Sequence, residues 1–236
     1  MTFAAGLRKA LDLRQSDVVA ELERGDSLEK ILDRHLLTVE EMSDSEILTS
    51  VLILSDDGRR LTHGAAPSLP QVYRQAIDGS EIGPSNGSCG TAAYSGQPVY
   101  VTDIATDPRW AAYKDLALPH GLRACWSTPI RDGRGKVLGT FAIYHRRLNG
   151  PVKDELSAID MIAGNVAQAI TWSRDSGEGA AFPAVLPQQV AALQAIAAAI
   201  AQHSAGLDSA TRQAVEAVVE DARKLAALVH CRSITP

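Results

Sequence analysis

The side chains able to bind or react gather in one stretch of the chain, from Cys89 to Tyr144. Cys89 and Cys125 carry thiols. If they lie close together they form a redox pair; the plainer alternative is two small buried cysteines. Arg123 offers a planar fork suited to carboxylate, nitrate or phosphate oxygens, or else an exposed ion pair to Asp103 or Asp115. His120 is an imidazole next to it in sequence, a metal or haem ligand in one reading and a solvated loop residue in the other. Ser127 and Thr140 add hydroxyls and Tyr144 a phenol, while Trp110 and Tyr113 are flat surfaces for walling a pocket or anchoring a loop. A helix expected to start near Ser88–Thr91 brings free backbone amides, a natural anion site, and Gly87 and Gly90 allow close backbone approach. Ser88 and His120 have the types of a catalytic dyad, but nothing places an orienting acid beside them. No zinc-protease or P-loop pattern is present.

The elements that must hold these groups are two strong strands, 123–131 and 136–146, joined by the hairpin signal Asp132-Gly133-Arg134-Gly135. Side chains alternate across a strand. Arg123, Cys125, Ser127 and Pro129 therefore share a face, as do Thr140, Ala142 and Tyr144. Ala124, Trp126, Thr128 and Ile130 take the other face with Phe141 and Ile143. The large apolar face suits packing under helices. The small polar face suits a pocket, where a few polar groups orient a ligand, or else meets solvent.

Around this pair the chain alternates helical and strand patterns. Residues 7–24 read as a helix. After Gly25, Asp26 and Glu29 form a plausible capping pair for a second helix ending near Met42. Ile47–Leu54 is apolar on both faces, so the sheet should be covered on both sides. Asp56-Asp57-Gly58 signals a hairpin into a strand near 60–64. A short helix is expected near 70–77, another at 89–95, and a strand at 98–103. The stretch 79–90 is rich in glycine, and the segment 105–120 reads as irregular. Asn149-Gly150-Pro151 reads as an ordinary turn before a long helix from about 152 to 174. Residues 175–187 read as a linker, and the alanine-rich remainder as a helical hairpin, about 188–203 and 208–229. The fold class is α+β: a six-stranded antiparallel sheet flanked by helices, plus the C-terminal helical hairpin. The expected divisions are an N-terminal helix over 1–25, a domain over 26–174, the linker over 175–187 and the tail over 188–236.

Composition narrows the function classes. The chain has 236 residues, 45% hydrophobic and 22% charged, with a formal net charge of −5. That charge gives no general reason to seek nucleic acid. No run approaches the ~20 apolar residues of a membrane span, and the N-terminus lacks a signal-peptide core, so no membrane partner is expected and the expected compartment is the cytoplasm. The three cysteines, Cys89, Cys125 and Cys231, are too few and too scattered for a disulfide framework or a CxxC zinc site.

One ordered set of motifs resembles a GAF domain. It runs from Gly87-Ser88-Cys89-Gly90-Thr91-Ala92-Ala93 through Val99–Ile104, Asp107-Pro108-Arg109-Trp110 and His120–Ile130. It closes on Gly133 and Val137–Tyr144. The resemblance covers roughly residues 26–174. It implies a GAF/PAS-like six-stranded sheet with terminal helices on one face and a ligand pocket on the other. It also implies a bacterial, cytoplasmic, non-enzymatic sensor in signal transduction. The ligand-binding set would then be Cys89, Trp110, Tyr113, His120, Arg123, Cys125, Ser127, Thr140 and Tyr144. The expected partners are a small-molecule ligand, a second copy in a homodimer, and a sensor kinase or other signalling protein. Stand-alone GAF nitrate receptors make nitrate or a small carboxylate the first ligand to consider. No cofactor is expected.

Other members of the family set the alternatives. Some GAF haem sensors carry a proximal histidine near the place of His120, here about one residue out of register. Free methionine-R-sulfoxide reductases share Cys89-Gly90-Thr91-Ala92, but their further cysteine is missing from 105–120. Their acids fall on Cys125, Ala142 and Tyr144. Bilin-binding members use a lid cysteine, and Tyr113-Lys114-Asp115-Leu116 has none. The cyclic-nucleotide set is not recognisable. An interaction module with an empty pocket is the remaining alternative.

Overall fold

The computed structural model describes residues 17, 18, 21, 24–43, 47–151 and 153–177. Most of the expected N-terminal helix, the linker beyond 177, the C-terminal helical hairpin and Cys231 lie outside the described residues.

Helix α1 (Leu28–Met42) places Ile31, Leu32, Leu36 and Val39 on one buried stripe, as helical spacing demands. Its cap is Ser27, whose hydroxyl accepts from Lys30 N at 3.5 Å, not the expected Asp26 and Glu29 pair. Asp26 instead pairs with the Arg34 guanidinium at 2.6 Å, a bond in which both partners are charged. Strands β1 (Ile47–Leu54) and β2 (Arg60–Ala65) form the first hairpin. Asp57 closes its turn by accepting from the Ser55 hydroxyl at 2.6 Å and from Arg59 N at 3.0 Å.

Then come α2 (Gln71–Ile77), the two-residue strand β3 (Ser80–Glu81), α3 (Gly87–Ser95) and β4 (Val99–Val101). Strand β3 adds an element within the glycine-rich stretch 79–90: Arg60 and Leu61 of β2 pair with Glu81 and Ser80. Helix α3 begins earlier than the expected residue 89, because Gly87 turns the chain into it at φ +63, a left-handed conformation open to glycine. The segment 105–120, expected to be irregular, holds two 3-10 turns (Pro108–Trp110 and Leu118–His120) around a single-turn helix α4 (Lys114–Ala117). Strands β5 (Ala124–Arg131) and β6 (Val137–His145) are followed by α5 (Lys153–Gly177), which runs three residues past its expected end.

The six strands form one antiparallel sheet in the order β3-β2-β1-β6-β5-β4. Its centre is β6, between β1 and β5. Gly139 permits the contact with β1, since a Cβ there would stand 2.2 Å from the Leu52 carbonyl oxygen. Each face carries its own core, as β1, buried on both sides, requires. On one face Trp126, Phe141 and Ile143 pack with α1 and with Ile159, Ile162, Val166 and Ile170 of α5. On the other, Leu48, Leu52, Cys125, Ala142 and Tyr144 pack with Tyr73, Ala92, Trp110 and Leu122. Burying a side chain of this size contributes about 1.5–3 kcal/mol. The solvent-facing alternative for the polar face is thereby corrected: Cys125, Ser127, Thr140 and Tyr144 are all buried.

The turn at Asn149 does more than end the sheet. Its carbonyl accepts from Trp126 Nε1 at 3.1 Å, and its amide lies 3.2 Å from His145 Nδ1.

Candidate functional site

Helix α3 packs on β5 and β6, and one oxygen fixes the joint. The Ser88 hydroxyl donates to the Cys125 carbonyl at 3.0 Å and accepts from Trp110 Nε1 at 3.0 Å. It thus ties helix, strand and the 105–120 segment at one point. Cys89, the next residue, packs against the cluster that buries Cys125, and the two thiols influence each other's ionisation. The Cys125 S–H donating to the Cys89 sulfur brings the Cys89 thiol down to about 7, with help from Ser127, Thr140 and Tyr144 and against the cost of burial. Burial pushes the Cys125 thiol well up, and its thiolate neighbour adds to that. Cys89 stands in the first turn of α3, where the helix macrodipole also favours a thiolate.

Three hydroxyls on this face lack a hydrogen-bond partner although fully buried: Ser50, Ser127 and Thr140. Register brings them together. Ala142 of β6 is opposite Ser127 on one side and Ser50 on the other, and Thr140 is two residues along β6. Ser50 neighbours the Tyr144 phenol, which burial holds well above its ordinary value. Tyr144 meets Tyr73 edge-on at 5.8 Å, and Tyr73 meets His120 edge-on at 6.0 Å.

The expected residues divide accordingly. Cys89, Cys125, Ser127, Thr140 and Tyr144 come together. Trp110 is buried and acts as an anchor, and half-buried Tyr113 packs against the same core. Their rings stand 3.9 Å from where a Cβ at Gly87 would be, an ordinary contact, so it is the positive φ rather than crowding that calls for glycine there. His120 lies at the edge of the cluster, its ring on Tyr73 and its carbonyl accepting from Arg146 at 3.3 Å. Arg123 precedes β5 and is exposed; its backbone donates to the His145 carbonyl at 2.7 Å. The expected ion-pair partner Asp103 instead accepts from Ala105 N and the Thr106 hydroxyl.

Ser50, Tyr73 and Ser88 belong to the site and were not selected from sequence. Ser50 sits in a strand dominated by apolar residues, and only its register with Ala142 gives it away. A cleft of ≈ 410 Å³ on the sheet's other face, between Thr128, Arg131, Asp160 and Gly164, is lined by none of the selected residues.

A model of the GAF domain matches residues 25–171. The chain belongs to the GAF domain family. This GAF domain is 38% identical over 149 residues to a methyl sulfide methyltransferase-associated sensor from Methanosarcina acetivorans. The match covers 63% of the chain but only 15% of that relative's length. The GAF domain of a phosphoenolpyruvate-protein phosphotransferase from Coxiella burnetii superposes with a TM-score of 0.60 at 19% identity, covering 75% of this chain and 99% of that one. A free methionine-R-sulfoxide reductase from Neisseria meningitidis, solved with its substrate, gives 0.59 at 17% identity over 75% and 95% of the two chains. These two likenesses are of fold. The six-stranded sheet implied by the motifs is present, and the family and a sensor-named relative support a sensory or regulatory role. No helix among the described residues is long and apolar enough to cross a membrane.

Proposed function

We propose that this GAF domain is a non-enzymatic sensor that binds a small ligand against its thiol and hydroxyl face and passes the bound state on by protein contact. The observation that carries the reading is the trio of partnerless buried hydroxyls, Ser50, Ser127 and Thr140. A buried hydroxyl without a partner costs about 1–3 kcal/mol, and a compact ligand rich in oxygen relieves several at once. Nitrate or a small carboxylate has that shape. Cys89, Cys125 and Tyr144 line the same place, Trp110, Tyr113 and His120 close it from the 105–120 segment, and Arg123, exposed just before β5, is the cation offered to an incoming anion. The output is a contact with a second copy or with a sensor kinase.

The test is native mass spectrometry of the reduced protein with an absorption spectrum, then thermal shift with nitrate and with acetate. A retained small mass, or a shift that disappears in Ser127→Ala/Thr140→Val, supports the reading. Arg123→Ala should weaken an anion by about 1–3 kcal/mol. An unliganded protein with no shift from either anion overturns the anion reading, and a Soret band transfers the ligand to haem near His120.

A further inference from the structure

The geometry points to a modification site on this same face: Cys89 and Cys125 are an oxidisable dithiol that a hydroperoxide converts to a Cys89–Cys125 disulfide, with Ser127 and Thr140 holding the peroxide oxygens. The inference rests on the reading that this face receives a small ligand. Three observations converge on it. The Ser88 hydroxyl bonds the Cys125 carbonyl at 3.0 Å, which fixes the first turn of α3 against β5 at the level of the two cysteines. Cys125 belongs to the buried cluster on this face and Cys89 packs against that same cluster. The hydroxyls of Ser127 and Thr140 face Cys89 and lack partners of their own, so they are free to donate to a peroxide as it reacts.

The two cysteines differ in the way a stepwise oxidation requires. Cys89 is partly exposed and has the lower thiol pKa, about 7; Cys125 is fully buried and stays protonated. The attacking thiolate is therefore Cys89. Its sulfur attacks one peroxide oxygen. The S–O bond forms, the O–O bond breaks, and the departing oxygen takes a proton from water and leaves as an alcohol or as water. Cys89 is then a sulfenic acid. The Cys125 sulfur attacks the Cys89 sulfur. The S–S bond forms, the S–O bond breaks, and the hydroxyl leaves with the Cys125 proton as a second molecule of water. Two thiols are oxidised and one hydroperoxide is reduced. The bond locks α3 to β5 directly beneath the Trp110 anchor.

The experiment treats the full chain, carrying Cys231→Ser, with hydrogen peroxide. Remaining thiols are alkylated and tryptic peptides mapped. The expected product links the peptide 75–109 to the peptide 124–131 with loss of two hydrogens, and a dithiol reductant reverses it. Its rate should fall roughly tenfold per pH unit below a midpoint near 7, following the thiolate fraction. In Cys125→Ser the reaction stops at a Cys89 sulfenic acid that dimedone traps; in Cys89→Ser, Cys125 is spared. The inference is overturned if peroxide leaves both thiols of the wild-type fold open to alkylation, or if Cys125 oxidises equally fast in Cys89→Ser. The wild-type map reads the answer even where a variant fails to fold. Anion binding by the reduced chain is measured in parallel, so a failed oxidation with intact binding removes this inference alone.

Discussion

Ser88 carries two roles on one oxygen, and His145 shows what burial does to a titratable ring. Ser88→Ala leaves the Trp110 N–H and the Cys125 carbonyl without their shared partner in a dry site. A loss of about 1–3 kcal/mol is expected, read as a lower urea midpoint at unchanged slope. His145 is buried against Trp126, ring centroids 4.2 Å apart, and burial, aided by Arg147, depresses its pKa from 6.5 to about 4. The unfolded chain therefore binds this proton more readily than the folded one. Stability from this residue is complete above pH 6.5 and is lost as the pH falls through 4, to a total of about 3 kcal/mol. Thermal unfolding followed from pH 7 to 4 should show the decline, and His145→Phe should flatten it. An equal decline in the variant would assign acid sensitivity elsewhere. At this scale the sequence was informative about the thiols and hydroxyls, because strand alternation placed Cys125, Ser127, Thr140 and Tyr144 on one face. It was uninformative about Ser88, whose partners are 22 and 37 residues away.

Elements are joined by few but strong polar contacts. The Glu40 carboxylate near the end of α1 accepts from Thr49 N at 2.6 Å and from the Thr49 hydroxyl at 2.7 Å. This buried pin orients α1 on β1. Glu40→Ala strands two donors and should cost about 2–3 kcal/mol, and Glu40→Gln, which keeps an acceptor, should cost less; equal losses in chemical denaturation would show that packing alone matters there. The long elements were legible because their apolar periodicity matches what they bury: α1, α5 and the hairpins β1–β2 and β5–β6. Of the short ones, α2, α3 and β4 were expected near 70–77, 89–95 and 98–103, whereas β3 and the turns of 105–120 were not. Strand β3 has two residues and exists because β2 offers it a partner. The 105–120 segment is held by turns such as Asp107, which accepts from Arg109 N at 2.9 Å and pairs with its guanidinium at 2.6 Å. Periodicity has nothing to detect in three or four residues.

The GAF domain puts α1 and α5 on one sheet face and its candidate site on the other, so a bound ligand signals only if it has different affinity for two states. We propose that a bound ligand tightens the segment 83–120, which reaches the site through α3 and Trp110. Ligand at about a hundred times its Kd should stabilise the fold by about 2.7 kcal/mol, and hydrogen exchange should slow first in 83–120. Unchanged exchange there, with binding present, would break the proposed link between site and output. The linear chain alone carried the α+β class, the antiparallel hairpins, the family motifs and the division of β5 and β6 into a polar and an apolar face. All of these follow from local periodicity and turn chemistry, which neighbouring residues encode. The pairing of Cys89 with Cys125, the row of Ser50, Ser127 and Thr140, and the separation of Arg123 from them depend on strand register and on how α3 seats on the sheet. Those are contacts between distant residues, chosen by packing and hydrogen bonding in three dimensions, and no local pattern encodes them.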